Sequence, residues 1–111
     1  MRVLLDECVN PRLREAFPGH AVRTTAEQGW KGLKNGDLLV RAEPEFDVFL
    51  TIDRNLEYQQ NLPRLRLGVV VAHVPDNRMD SYEPILAELR RAVDTVGAGE
   101  AVRVLHPKLR G

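Results

Sequence analysis

Apolar residues fall along this chain in short runs separated by polar stretches that carry proline and glycine. Residues 2–5 (RVLL) and 48–52 (VFLTI) are continuous runs, and each leads straight into an acid, Asp6 or Asp53. The run 67–74 (LGVVVAHV) is nearly unbroken and rich in valine. Such a segment predicts a strand covered on both faces, since no polar alternation marks a wet side. Segments 20–24 (HAVRT) and 101–105 (AVRVL) carry weaker strand signals.

Between these runs the spacing turns helical. Asn10 before Pro11 reads as an N-cap and first helical position, with Leu13, Ala16 and Phe17 facing inward and Pro18–Gly19 as the stop. A second helix opens at Asn35 or Gly36, runs through DLLVRAE and ends at Pro44. A short helical turn is expected in RNLEYQQ after Asp53. Residues 81–96 give the clearest amphipathic pattern: Ile85, Leu89, Val93 and Val96 form one stripe, with Glu88, Arg90 and Arg91 off it. Pro84 falls in the first turn, where its missing N–H is tolerated. The tail HPKLRG is expected to fray.

Strands alternating with helices in this order predict an α/β fold, a three-layer α/β/α sandwich around a mostly parallel five-stranded sheet. The strand at 2–5 is expected to be central, between those at 20–24 and 48–52. The 111 residues make a single domain, 1–111, with no repeat or linker.

Composition narrows the setting. The single cysteine, Cys8, excludes an intrachain disulfide framework and a cysteine-built zinc site, and reads as a small apolar side chain. No apolar run approaches the length of a membrane span, and the N-terminal segment lacks the pattern of a signal peptide, so the expectation is a cytoplasmic protein without membrane contact. Sixteen basic residues balance sixteen acidic ones, which leaves any nucleic-acid contact to a local patch.

The candidate chemistry is acidic. In open α/β sheets, ligands collect beyond the carboxyl ends of strands where the strand order reverses, and Asp6 and Asp53 both stand at such ends. Asp37, in the first turn of its helix, starts at the same edge, and Glu27 and Glu7 lie close enough in sequence to join. Gathered carboxylates repel one another and call for protons or a cation. An all-oxygen donor set suits Mg or Mn, ions that borrow phosphate oxygens from a substrate. Arg54, Asn55, Asn10 and Arg12 adjoin the acids and are candidates for phosphate contacts, against ordinary capping and solvation. Trp30 is a candidate base-stacking residue, against closing a core edge. His73 reads as a strand-end histidine with its hydrogen bonds satisfied.

Taken in order, VLLDECVN, GHAVRTTAEQGW, NGDLL and FDVFLTIDRN resemble the small PIN-like proteins, relatives of the PIN ribonucleases that include toxins of bacterial toxin–antitoxin pairs. The likeness spans roughly residues 2–75. It implies a Mg- or Mn-dependent ribonuclease with Asp6, Asp37 and Asp53 as catalytic, metal-holding acids and Glu27 as a weaker match. RNA is then the substrate, with an antitoxin as partner and a homodimer as a further association. The chain departs from the pattern in its shorter length and in its Asp6–Glu7 doublet.

Two rival functions come from other classes. One is a PIN-like interaction module without catalysis, favoured by the neutral net charge. The other is a phospho-receiver, which shares an acidic doublet after strand 1 and an acid after strand 3. It lacks a Thr or Ser at Ala72–His73, and Lys108 comes too late to leave a closing helix.

Overall fold

Five strands, β1 (Arg2–Leu5), β2 (Ala21–Thr24), β3 (Val48–Thr51), β4 (Gly68–His73) and β5 (Ala101–Leu105), form one sheet in the order β2-β1-β3-β4-β5. The computed structural model describes residues 1–110. Every neighbouring pair is parallel, so the sheet is wholly rather than mostly parallel. β1 lies between β2 and β3 as expected, with β3 in the middle of the five.

The period of two along each strand divides the core into two layers. Val3, Leu5, Val48, Leu50, Val70, Ala72 and Val104 face one side and meet Leu13, Phe17, Tyr82, Ile85, Leu89 and Val93. Leu4, Phe49, Val69 and Val71 face the other and meet Leu38, Leu39, Ala42, Phe46, Leu56 and Leu62. Helices therefore cover both faces, which is the three-layer α/β/α arrangement. The central strands carry apolar residues at both parities because neither face is wet. Each fully covered Leu or Phe contributes about 1.5–3 kcal/mol relative to exposure.

The helices are α1 (Asn35–Ala42), α2 (Leu56–Gln59), α3 (Met79–Tyr82) and α4 (Leu86–Thr95). Two differ from expectation. The segment after Asn10 is a tight 3-10 helix, Pro11–Ala16, with the Asn10 side chain accepting from the Arg12 N–H at 3.1 Å. The helix expected over 81–96 starts earlier and is interrupted: a 3-10 turn, Glu83–Ile85, separates α3 from α4. Pro84 sits in that turn, because it lacks an N–H and clashes with a continuous α-helical ladder.

The tail does not fray through residue 110. His106 is buried and its Nδ1 accepts from the Lys108 N–H, while Arg110 bonds the Leu105 carbonyl at 2.9 Å and pairs with Glu88. No helix among the described residues is long and apolar enough to cross a membrane.

Candidate functional site

The chain leaves β1 towards β2 on one side and later returns to place β3 on the other, so the strand order reverses between β1 and β3. The two chain segments splay apart at the carboxyl ends of these strands and leave a cleft. It holds about 360 Å³ and is lined by Asp6, Glu7, Cys8, Asn35, Ile52 and Asp53.

Asp6 is the only buried acid among the described residues, 6% exposed. Its backbone N–H continues the sheet ladder to the Leu50 carbonyl at 2.9 Å, which fixes the side chain at the β3 edge. Its Oδ1 accepts from the Glu7 N–H at 2.9 Å, and its Oδ2 from the Thr51 hydroxyl at 2.7 Å and the Cys8 thiol at 3.3 Å. The same Thr51 hydroxyl accepts from the Asp53 N–H at 3.0 Å, so one fully buried threonine ties the two acids together. Asp53 receives the Asn55 N–H on Oδ1 at 3.0 Å and the Asn35 side-chain amide on Oδ2 at 3.2 Å.

Every donor to these carboxylates is neutral. Burial pushes the Cys8 thiol above its ordinary value, and the neighbouring Asp6 charge pushes it further. Cys8 is therefore a protonated donor at the cleft wall rather than the plain apolar side chain its sequence context suggested.

The loop carrying Asp6, Glu7 and Cys8 is held from outside by Asn77, in the turn between β4 and α3. Asn77 donates to the Cys8 carbonyl at 2.9 Å and accepts from the Asn10 N–H at 2.9 Å. Its own carbonyl accepts from the Asn10 side chain, and the Tyr82 hydroxyl donates to its Oδ1. Tyr82 is fully buried, and that burial raises its hydroxyl to about 12.

The remaining expected residues are placed elsewhere. Asp37 is exposed in the first turn of α1 and does not line the cleft. Asn35 occupies the place expected for it, since residues two apart on a helix stand about 200° apart around the axis. Glu27 closes a turn: it accepts from the Thr24 N–H at 3.0 Å, its own N–H donates to the Thr24 hydroxyl, and it pairs with Arg14 at 2.9 Å. These contacts, the Thr24 N–H foremost, lower its carboxyl below the usual value. Glu7 is exposed at the cleft rim.

Among the four candidate phosphate contacts, Asn10 serves the Asn77 clamp and Asn55 contributes its backbone to Asp53. Arg54 donates to the Val74 carbonyl at 3.2 Å, and Arg12 lines a different groove with Glu15 and Arg90. Trp30 packs edge-to-face on Phe46 at 6.0 Å, closing a core edge. His73 differs from expectation in that its Nε2 is buried without a partner. Burial first, then Arg54 and Arg103, lower its pKa.

Sequence reasoning missed Thr51, Asn35 and Asn77. Thr51 was signalled by a lone hydroxyl at the end of an apolar strand two residues before Asp53, whereas Asn77 acts only through contacts distant in sequence. Comparisons with protein-family models, curated proteins and solved structures gave no match to this chain. The likeness to PIN-like proteins rests on the quoted segments alone.

Proposed function

We propose that the β1–β3 cleft is the centre of a Mg- or Mn-dependent ribonuclease, with Asp6 and Asp53 holding the cation and an RNA phosphodiester as substrate. The observation that carries this reading is the pairing of a buried and a half-buried carboxylate at the strand-order reversal, bonded only by neutral donors. Two negative charges so placed favour a cation from outside.

The donor set fits such an ion. It is all oxygen, and Mg typically takes one or two carboxylates and fills its remaining positions with water and substrate phosphate. Asp6 and Asp53 supply the two carboxylates of that count. Asp37 and Glu27 have no part in this reading because neither lines the cleft.

The bound ion would supply an activated water at neutral pH and charge stabilisation at the leaving oxygen. The chain's own residues do the positioning. Thr51 fixes the spacing of the two acids, Asn35 orients Asp53, and Asn77 holds the Asp6 loop against the sheet. A toxin of this kind is silenced by a partner covering the cleft, which makes an antitoxin protein the expected associate.

One observation favours a second reading, a partner-binding module without catalysis: all four carboxylate oxygens of Asp6 and Asp53 already accept hydrogen bonds from the protein. Each oxygen retains further acceptor capacity, so the two readings part on activity. Single-turnover cleavage of a mixed-sequence RNA, with and without Mg or Mn, separates them. Mg-dependent cleavage that disappears in Asp53→Asn supports the nuclease. Full activity in Asp53→Asn overturns it, and an inactive native protein selects the module.

A further inference from the structure

A second, more enclosed pocket opens on the other side of Asp6 and Glu7, sharing those two residues with the acidic cleft. It holds about 130 Å³. A cavity of about 150 Å³ accepts one benzene-sized ring, so this one matches a single six-membered ring.

Its walls differ from the cleft's. Val9, Pro11 and Ala26 make an apolar slot, and Lys31 brings a cation to it. Six ion pairs form among the described residues and none includes Lys31 or Glu7, so both charges remain available. Thr25 also lines the pocket; it is 1% exposed, and its hydroxyl has no hydrogen-bond partner. A buried hydroxyl left unpaired costs free energy that a ligand or a small local adjustment can recover.

A slot for one flat ring between apolar walls, a cation to meet a ring carbonyl and a carboxylate on the edge shared with the cleft describe a site for a nucleotide base. We propose that this pocket binds the pyrimidine base next to the phosphate held in the acidic cleft, and that it prefers cytosine to uracil. The proposal rests on the phosphodiester reading of that cleft and adds its base preference. Glu7 sets the preference: an ionised carboxylate only accepts hydrogen bonds, so it pairs with the amino group of cytosine and opposes the carbonyl that uracil presents at the same position. A purine exceeds the ring size of the slot. Lys31 lines the slot rather than the cleft, and its cation donates to the ring carbonyl that cytosine and uracil share.

The test uses the full chain with Mg and three probes: cytidine 5′-monophosphate, uridine 5′-monophosphate and ribose 5-phosphate. Amide NMR shifts locate each probe, and titration gives its affinity. Both nucleotides should shift the Val9, Thr25 and Ala26 amides, while ribose 5-phosphate should move only those around Cys8, Asn35 and Asp53. The cytidine compound should bind about tenfold tighter than the uridine one, the discrimination typical of one well-made base contact. Glu7→Gln, which both donates and accepts, should bring the two within about twofold of each other. Ala26→Phe, filling the slot from an exposed position, should remove the advantage of both nucleotides over ribose 5-phosphate.

Equal affinity for all three probes, with shifts confined to the acidic cleft, overturns the base pocket and leaves the phosphodiester reading standing. Binding of none of them overturns both.

Discussion

Asp6 and Glu57 are both withdrawn from water, and the protein satisfies them in opposite ways. Glu57, on α2, is held by the Arg103 guanidinium of β5 through bonds of 2.6 and 3.2 Å, with the same guanidinium lying 5.6 Å from the centre of the Tyr58 ring. Asp6 is held by a backbone N–H, a hydroxyl and a thiol, none of them charged. The first arrangement neutralises its carboxylate locally. The second orients a carboxylate and leaves its charge in place, and Asp53 beside it is treated the same way. A charge that the fold orients without cancelling is one that can act on something from outside.

The largest expected effect therefore comes from a divalent cation. Anything that binds the folded state alone stabilises it by mass action, by about 2.7 kcal/mol at a hundred times its dissociation constant. Mg or Mn should raise the melting temperature of the native protein, and Asp53→Asn or Asp6→Asn should abolish the rise. Glu57→Gln should keep it, since its carboxylate is already spoken for by Arg103. Thermal melts across millimolar Mn check this. An equal rise in all four proteins would place the ion elsewhere, and no rise in the native protein would remove it.

Alkaline pH sharpens the contrast, because two of the neutral donors in this region can lose their protons while Arg103 cannot. Burial raises the Cys8 thiol, and the buried Tyr82 hydroxyl is pushed up to about 12. A group whose folded pKa is raised gives its full stabilisation below the unfolded value. Above it, the unfolded chain releases the proton first, so stability falls as pH rises towards the folded value. Stability should thus decline from about pH 9 through Cys8 and from about pH 10 through Tyr82, at no more than about 1.4 kcal/mol per pH unit for each group. Cys8→Ser and Tyr82→Phe should each flatten their part of the alkaline limb in urea melts taken from pH 8 to 11. An unchanged limb in both variants would assign it to other groups.

Thr51→Val tests the link between the two acids. The swap keeps the shape but leaves Asp6 one donor short and the Asp53 N–H without its acceptor. Loss of hydrogen bonds at a buried site costs about 1–3 kcal/mol. Urea unfolding should show a loss in that range, together with weaker Mn binding. A neutral effect on both would mean that water replaces the hydroxyl and that the spacing of the acids is set by the strands alone.

How much of this was legible follows the range of the interactions involved. Asp6 and Asp53 could be read because an apolar run ending in an acid is a local feature, and parallel topology carries both ends to one edge. The lack of polar alternation in VLL and VFLT likewise encodes the two-faced core. Asn35 was displaced in the reading by Asp37 because the start of α1 was open by a residue, and helix phase changes by 100° per residue. Pro84 was read as a tolerated first-turn residue, yet the helix begins at Met79, so the same proline falls inside and breaks it. Asn77 was invisible for a stronger reason: three of its hydrogen bonds, to Asn10 and Cys8, reach nearly seventy residues away in the chain.

The smallest effect belongs to the acids paired with exposed cations, and salt is the way to see it. Asp47 accepts the Arg2 N–H at 2.8 Å and pairs with the Arg2 guanidinium at 3.5 Å, both side chains about half exposed. The Arg2 N–H first, and then its side chain, lower the Asp47 carboxyl below its ordinary value. A lowered folded pKa gives stability that is present above the unfolded value and is lost as pH falls through the folded one. Asp47→Asn should cost less than about 1 kcal/mol at neutral pH, as exposed pairs do. The difference from the native protein should shrink as pH drops below 4, where both carry a neutral side chain at this position. It should also shrink in 1 M salt, where charges are screened beyond about 3 Å. The Thr51→Val loss involves a buried hydroxyl and should survive the same salt. Urea melts of the two variants in low and high salt make the comparison, and equal salt sensitivity would show that the cleft and the flank hold their carboxylates by the same means.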